Sequence, residues 1–136
     1  MLEQYLEELK KIELLTPEEE RALWIAYKDD GDGESRRRLI EQYQPLVFKE
    51  AMAWHLQGDI VQDTLQEGTL GLIEAVERYD YTRNVAFSIF AVHRIRGEII
   101  NFLKRENKGT VLSMDEPDEM GLTLGDHLSD GSDDLA

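Results

Sequence analysis

Cysteine is missing from the 136-residue chain. Disulfides, thiolate nucleophiles and cysteine-ligated zinc are excluded with it. Proline is scarce, with three in all, so long helices can run uninterrupted. No apolar run approaches the roughly 20 residues that cross a membrane as a helix. Residues 1–15 are amphipathic and acidic, unlike a signal or a transit peptide. A cytoplasmic protein with no membrane partner fits these absences most simply. Basic residues are also few, 15 Lys and Arg against 29 Asp and Glu, for a net charge of −14. That balance argues against an indiscriminate nucleic-acid binder, since the molecule as a whole repels phosphate.

What is present suits one globular domain. Hydrophobic residues make up 41% and charged residues 32%, a composition that folds rather than stays disordered, on a chain long enough to bury a core. Leu2, Tyr5, Leu6, Leu9 and Ile12 recur at helical spacing. Thr16-Pro17-Glu18-Glu19 predicts a second helix start, with Thr16 and Glu19 forming a capping box and Pro17 in the first turn. Turn chemistry at Asp29-Asp30-Gly31-Asp32-Gly33 ends that helix. A third helical stretch runs from about residue 34 to 55 and should be kinked or divided at Pro45. After Gln57-Gly58-Asp59 a helix runs over residues 60–78. Val61, Leu65, Gly68, Leu72 and Val76 form its buried stripe, and Gln62, Gln66, Thr69, Ile73 and Glu77 line another face. Residues 79–86 read as a short loop. The last helix covers about residues 87–105, with Ala91, Ile95, Ile99 and Phe102 facing inward. Beyond Gly109 the periodicity stops, and the remainder reads as an extended acidic tail.

The charge is unevenly placed. Residues 1–80 carry 9 basic and 19 acidic groups, and residues 110–136 carry 8 acidic groups and no basic one. Between them, residues 81–109 hold 6 basic groups (Arg83, Arg94, Arg96, Lys104, Arg105, Lys108) against Glu98 and Glu106. This basic island is either a chance cluster on a solvated face or a small anion-binding surface. Asp30, Asp32, Glu34 and Glu41 have the spacing of calcium-loop ligands, but Ser35 stands where that loop needs glycine and three arginines follow. We read that segment as a solvated turn. His55, His93 and His127 are too scattered to suggest a metal site, and no phosphate-binding glycine loop is present.

The stretch Asp63-Thr64-Leu65-Gln66-Glu67-Gly68-Thr69-Leu70-Gly71-Leu72 leads to Tyr79-Asp80, then Phe87-Ser88-Ile89-Phe90-Ala91, then Val92-His93-Arg94-Ile95-Arg96-Gly97. It closely resembles region 2 of the bacterial sigma-70 family of RNA polymerase sigma factors. That family's pattern runs D-L-I-Q-E-G-N-I-G-L, then F-D, F-S-T-Y-A and an I-R motif. Residues 2–41 resemble the preceding region 1.2, with Leu14-Leu15-Thr16-Pro17-Glu18-Glu19-Glu20 matching its L-L-T-x-E-E-E signature. In the tail, Leu112-Ser113-Met114-Asp115-Glu116-Pro117 and Leu124-Gly125-Asp126 are similar to the sigma finger linker. A region 4 helix-turn-helix is lacking, so the minus-35 element should not be read, and the acidic ending fits truncation within a linker or a short, unusual member.

The resemblance implies two surfaces. Asp63, Gln66, Glu67, Thr69 and Ile73 match the segment that docks on the beta-prime clamp helices of core polymerase. Gln66, Thr69 and Ile73 fall together on a helix; Leu65, Leu72 and Val76 read as core, and for Gln66 and Glu67 the motif favours the interface over plain surface. The candidate DNA-binding residues are Tyr81, Arg83, Phe87, Phe90, His93, Arg94, Arg96, Gly97, Ile100 and Asn101. Aromatic faces stack on unpaired bases and guanidinium groups grip phosphates. Phe87 and Phe90 fit a core role as well as a stacking one, and Tyr81, in a loop, is the better stacking candidate. Primary sigma factors usually carry two tryptophans at the positions of His93 and Arg94, Gln at Gly97, an aromatic at Val85 and a basic residue at Ala86. These departures resemble alternative sigma factors of the flagellar and stress types.

The expected fold is therefore all-α: a compact helical bundle of sigma region 2 type with a disordered acidic C-terminal tail. Residues 1–33 should form region 1.2-like helices, 34–108 the region 2-like domain, and 109–136 the linker or finger-like tail. The expected function is binding core RNA polymerase and recognising and melting the promoter minus-ten element, with single-stranded non-template DNA as ligand. The rivals are a non-initiating polymerase-binding decoy and a helical module for an anti-sigma protein. No catalytic constellation, cofactor or metal is expected.

Overall fold

The computed structural model describes residues 2–107 as six helices in the order α1 (Leu2–Lys10), α2 (Pro17–Asp30), α3 (Gly33–Gln42), α4 (Gln44–Met52), α5 (Ile60–Arg78) and α6 (Phe87–Asn107), with no strand among the described residues. The bundle is all-α as expected. Lys108 and the acidic stretch 109–136, expected to be a disordered linker or finger-like tail, lie outside the described residues.

Helix starts follow side-chain chemistry. Thr16 accepts from the Glu19 amide at 3.1 Å while the Glu19 carboxylate accepts from the Thr16 amide at 2.8 Å. Two otherwise orphaned donors are thus satisfied, and Pro17 sits where no amide is needed. Asp32 caps α3 by accepting from the Ser35 amide at 3.1 Å, which gives one acid of the calcium-like spacing a structural use. The third stretch divides as Pro45 predicts. The break falls at Tyr43 (φ −103°, ψ 8°), and Pro45 sits in the first turn of α4. That helix ends at Met52 rather than continuing to 55, where His55 turns left-handed at φ 54°.

The core is organised by α5 and α6, an antiparallel pair. Gly68 lies beside Ile99, Gly71 beside Arg94 and Ile95, and Glu67 reaches Arg105. Leu72, Ala75 and Val76 of α5 meet Ala91, Ile95, Ile99 and Leu103 of α6, all fully buried. Approach is closest at Gly71. A Cβ there would stand 2.7 Å from the Arg94 carbonyl oxygen and 3.0 Å from the Ile95 Cα, so only glycine permits this crossing. α4 caps the pair with Val47 against Gly68. It also contributes Glu50, whose side chain is 10% exposed and takes a 2.6 Å hydrogen bond from Arg96. A buried carboxylate requires such a partner.

The N-terminal helices belong to the same body. Trp24 of α2 is buried in the shared core. α1 has no fully buried residue and is held by Tyr5, which stacks on Phe48 at 5.5 Å and donates to Gln44 at 2.9 Å. Gln42 fixes the connecting segment: its side chain accepts from the Leu15 amide at 2.8 Å and donates to the Glu13 carbonyl at 2.7 Å. No helix among the described residues is long and apolar enough to cross a membrane.

Candidate protein and nucleic-acid interfaces

α5 turns its inner stripe to α6 and α4 and leaves the opposite stripe free. Asp63 and Gln66 are exposed, and Thr69 and Ile73 are half-buried. These four of the residues expected to dock a partner share one run of surface. Thr69 is satisfied locally, donating to the Leu65 carbonyl at 2.9 Å. Glu67 is different: it takes a 2.8 Å hydrogen bond from Arg105 of α6 and so bridges the hairpin. In the middle of the run stands Leu70, 50% exposed, which the sequence reading did not select. Its signal was available, because Leu70 falls outside the buried stripe of its own helix. Beside this face a groove of about 610 Å³ separates α5 from α1, lined by Leu2, Tyr5, Glu8, Gln62, Gln66 and Thr69 among others.

The second surface is assembled from distant segments. Phe87, at the start of α6, packs against Tyr43 at 4.7 Å, Trp24 at 4.9 Å and Tyr79 at 5.1 Å between ring centroids. Glu20 of α2 organises the polar edge, accepting from the Trp24 indole at 3.0 Å and the Tyr43 hydroxyl at 2.7 Å. Burial first, and the Glu20 carboxylate second, push the Tyr43 phenol far above its ordinary value, so it stays a donor. Above these rings opens a cavity of about 390 Å³, walled also by Tyr81, Arg21, Ala86 and Ser88. The 79–86 loop is self-braced. The Asp80 carboxylate accepts from the Thr82 amide at 3.0 Å and hydroxyl at 2.6 Å, and both bonds hold its carboxyl below the usual range. Tyr79 donates its hydroxyl to the Val85 carbonyl.

The residues expected to contact DNA fall in different settings. Phe87 is 2% exposed and Ile100 is 3% exposed. Neither offers a face to a base in this conformation, because α6 turns both inward, and of the two roles open to Phe87 the core role is the one seen. Arg96 is committed to Glu50. The basic island is partly neutralised: Arg94 lies 3.6 Å from Glu74, Arg83 3.5 Å from Asp80, and Arg105 pairs with Glu67. Such exposed pairs hold weakly and can exchange for phosphate. Phe90 is half-buried, with the Arg94 guanidinium 5.9 Å from its ring centroid. His93 and Gly97 are half-buried and Asn101 is exposed, one turn apart along α6. The His93 Nδ1 is buried with no hydrogen-bond partner. Nothing lies within 4 Å of a Cβ built at Gly97. Tyr81 is half-exposed at the cavity wall. Among the described residues no group of three or more His, Asp or Glu is gathered in a way that could hold a metal ion.

Fold and surfaces together define an all-helical bundle built on a glycine-spaced hairpin, with an outward face of α5 on one side and an aromatic, arginine-edged cavity at its loop end. Residues 39–109 match the Sigma-70 region 2 family model, and the chain belongs to that family. It is 34% identical to the RNA polymerase sigma-G factor of Bacillus subtilis over 97 residues, 71% of this chain and 37% of that protein. Against the RNA polymerase sigma factor SigA of Clostridium acetobutylicum the identity is 41% over 95 residues, 70% of this chain and 25% of the relative. With the RNA polymerase sigma factor RpoH of Rhizobium radiobacter it is 31% over 104 residues, covering 76% and 35%. The chain thus spans between a quarter and two-fifths of the length of these relatives.

Proposed function

We propose that this chain is the polymerase-docking and minus-ten-opening portion of a cytoplasmic sigma factor. In this reading Asp63, Gln66, Thr69 and Ile73, with Leu70 as apolar centre and Glu67 at the edge, dock on the clamp helices of the beta-prime subunit. An acidic, amide-bearing helix with an exposed leucine suits a basic partner helix. The aromatic cavity at the other end receives unstacked bases of the non-template minus-ten strand. Tyr81 and Phe90 offer ring surface, Arg83 of the loop and Arg94 of α6 serve phosphates, and Asn101, farther along α6, serves base edges. Opening then needs no covalent step. Capture of extruded bases supplies the free energy that separates the strands, as in other base-extruding systems. The net charge of −14 keeps the free chain off duplex DNA, so capture depends on delivery by polymerase.

The observation that carries this reading is the cavity of about 390 Å³ in which aromatic side chains from α2, the α3–α4 junction, the loop and α6 converge beside arginine. The test is fluorescence anisotropy of a labelled non-template minus-ten strand titrated with the chain, with and without core polymerase. Polymerase-dependent, sequence-sensitive and salt-weakened binding is expected. Polymerase binding without strand capture would instead favour a decoy, and no polymerase binding an anti-sigma-type interaction module.

A further inference from the structure

Tyr81 does not stand alone at the mouth of the cavity. Its hydroxyl donates to the Asp29 carboxylate, with both oxygens at 2.9–3.0 Å, and the Arg21 guanidinium carbon lies 5.4 Å from its ring centroid. Both partners come from α2, more than 50 residues earlier in the chain. The phenol is held above its ordinary value by that hydrogen bond first, so it remains a donor at neutral pH. A side chain held at its hydroxyl and met by a guanidinium at its ring is restricted in the rotamers it can adopt, and the ring forms part of the cavity wall. Arg21 over the ring keeps its edge N–H groups for a phosphate.

We propose that Asp29 and Arg21 are positioning residues for single-strand capture, holding Tyr81 in place as the stacking wall of the aromatic cavity. This rests on the proposed function. It predicts that the strength of capture is set partly in α2, by residues that need touch no base. Without Asp29 the ring would have to be ordered at the moment of binding, and affinity would fall although the ring is still present.

The test uses the full chain with core polymerase and a short adenine- and thymine-rich single strand carrying 2-aminopurine, whose fluorescence drops on stacking. Tyr81→Phe keeps the ring and deletes the donor, Asp29→Ala deletes the acceptor, and the double variant removes both. Each single change is expected to weaken capture about fivefold, with the double variant no worse than either. Arg21→Lys should weaken it less, keeping charge but losing the flat face. Melting temperatures report whether the fold is intact. Tyr81→Ala is the separate check on the underlying reading, with loss of the quench expected. Loss of the quench in Tyr81→Ala with full capture by Tyr81→Phe and Asp29→Ala would overturn the positioning role and leave stacking standing. Additive losses, or tighter capture on removing Asp29, would overturn it as well. A Tyr81→Ala variant that still quenches fully would overturn the stacking role itself.

Discussion

The outward face of α5 and the aromatic cavity stand on the same helical hairpin but are built in opposite ways. The α5 face is one helix, one stripe and local sequence: Asp63, Gln66, Leu70 and Ile73 reach the surface because Leu65, Gly68, Leu72 and Val76 are drawn inward. The cavity joins Trp24, Tyr43, Tyr79, Tyr81 and Phe87 from four separate segments and exists only once the bundle has closed. A surface written in a single period is robust to changes elsewhere. A surface assembled from the core is coupled to stability. Substitutions therefore separate the two, and the largest effect belongs to the cavity floor. Phe87→Ala should destabilise the fold by about 3–5 kcal/mol, since a ring contacting three other rings is removed and its void cannot close. Urea unfolding measures this. A loss below about 1 kcal/mol would mean that Phe87 is a surface stacking residue and that the two regions do not differ as described.

The same difference decides what was legible beforehand. The spacing of residues 60–78 places the helix, its buried stripe and its free face, and the capping box at Thr16 and the interruption at Pro45 are local chemistry that the structure repeats. The cavity is not periodic in sequence. The sequence leaves Phe87 open between core and stacking and aligns Ile100 with a DNA-facing motif, whereas the burial of both depends on what the other helices bring over them. Arg96 belongs to the basic island in the sequence, and its ion pair with Glu50 of α4 is not written in any local spacing. Tyr81 was singled out as a loop aromatic, but its partners Asp29 and Arg21 lie on another helix and no spacing announces them.

A second, smaller effect tests the α5–α6 crossing at Gly71. Gly71→Ala drives a methyl group into the backbone of α6 and should cost about 1–3 kcal/mol. Gly97→Ala meets open space in mid-helix and should stabilise by roughly 0.5–1 kcal/mol. Both values come from denaturant midpoints. Equal outcomes would show that the crossing is set by something other than the close approach at Gly71. Because the crossing positions α5 and the loop together, Gly71→Ala is expected to weaken polymerase docking and strand capture alike, whereas Gly97→Ala leaves docking unchanged.

On the α5 face the effect should move from stability to binding. Leu70→Ala removes a half-exposed side chain, so unfolding is expected to change by under about 0.5 kcal/mol. Affinity for core polymerase should fall by about tenfold if Leu70 is the apolar centre of the interface. Surface-immobilised core polymerase gives the affinity and a thermal melt gives the fold. Unchanged affinity beside an intact fold would remove Leu70 from the interface and leave only its polar rim.

The smallest effect concerns the charge between the two surfaces. Glu98 of α6 lies near Glu74 and Glu67, with Arg105 only partly compensating. Burial first, then the hydrogen bond and repulsion from Glu74, raise its carboxyl above the ordinary value. A raised folded-state pKa means that the protonated form favours the fold. That stability is fully present below the ordinary carboxylate range and is lost as pH rises through the raised value. Glu98→Gln keeps the neutral, hydrogen-bonding form at every pH. Its melting temperature should exceed that of the parent at pH 7, and the gap should close on acidification below the ordinary glutamate pKa of about 4.3. A gap that does not vary with pH would show that packing, not charge, is responsible. The parent keeps three carboxylates on this side of the hairpin at some expense of stability, next to the helix proposed to meet a basic partner. The same variant should therefore slow association with core polymerase slightly at low salt and not at high salt, where screening removes the long-range attraction.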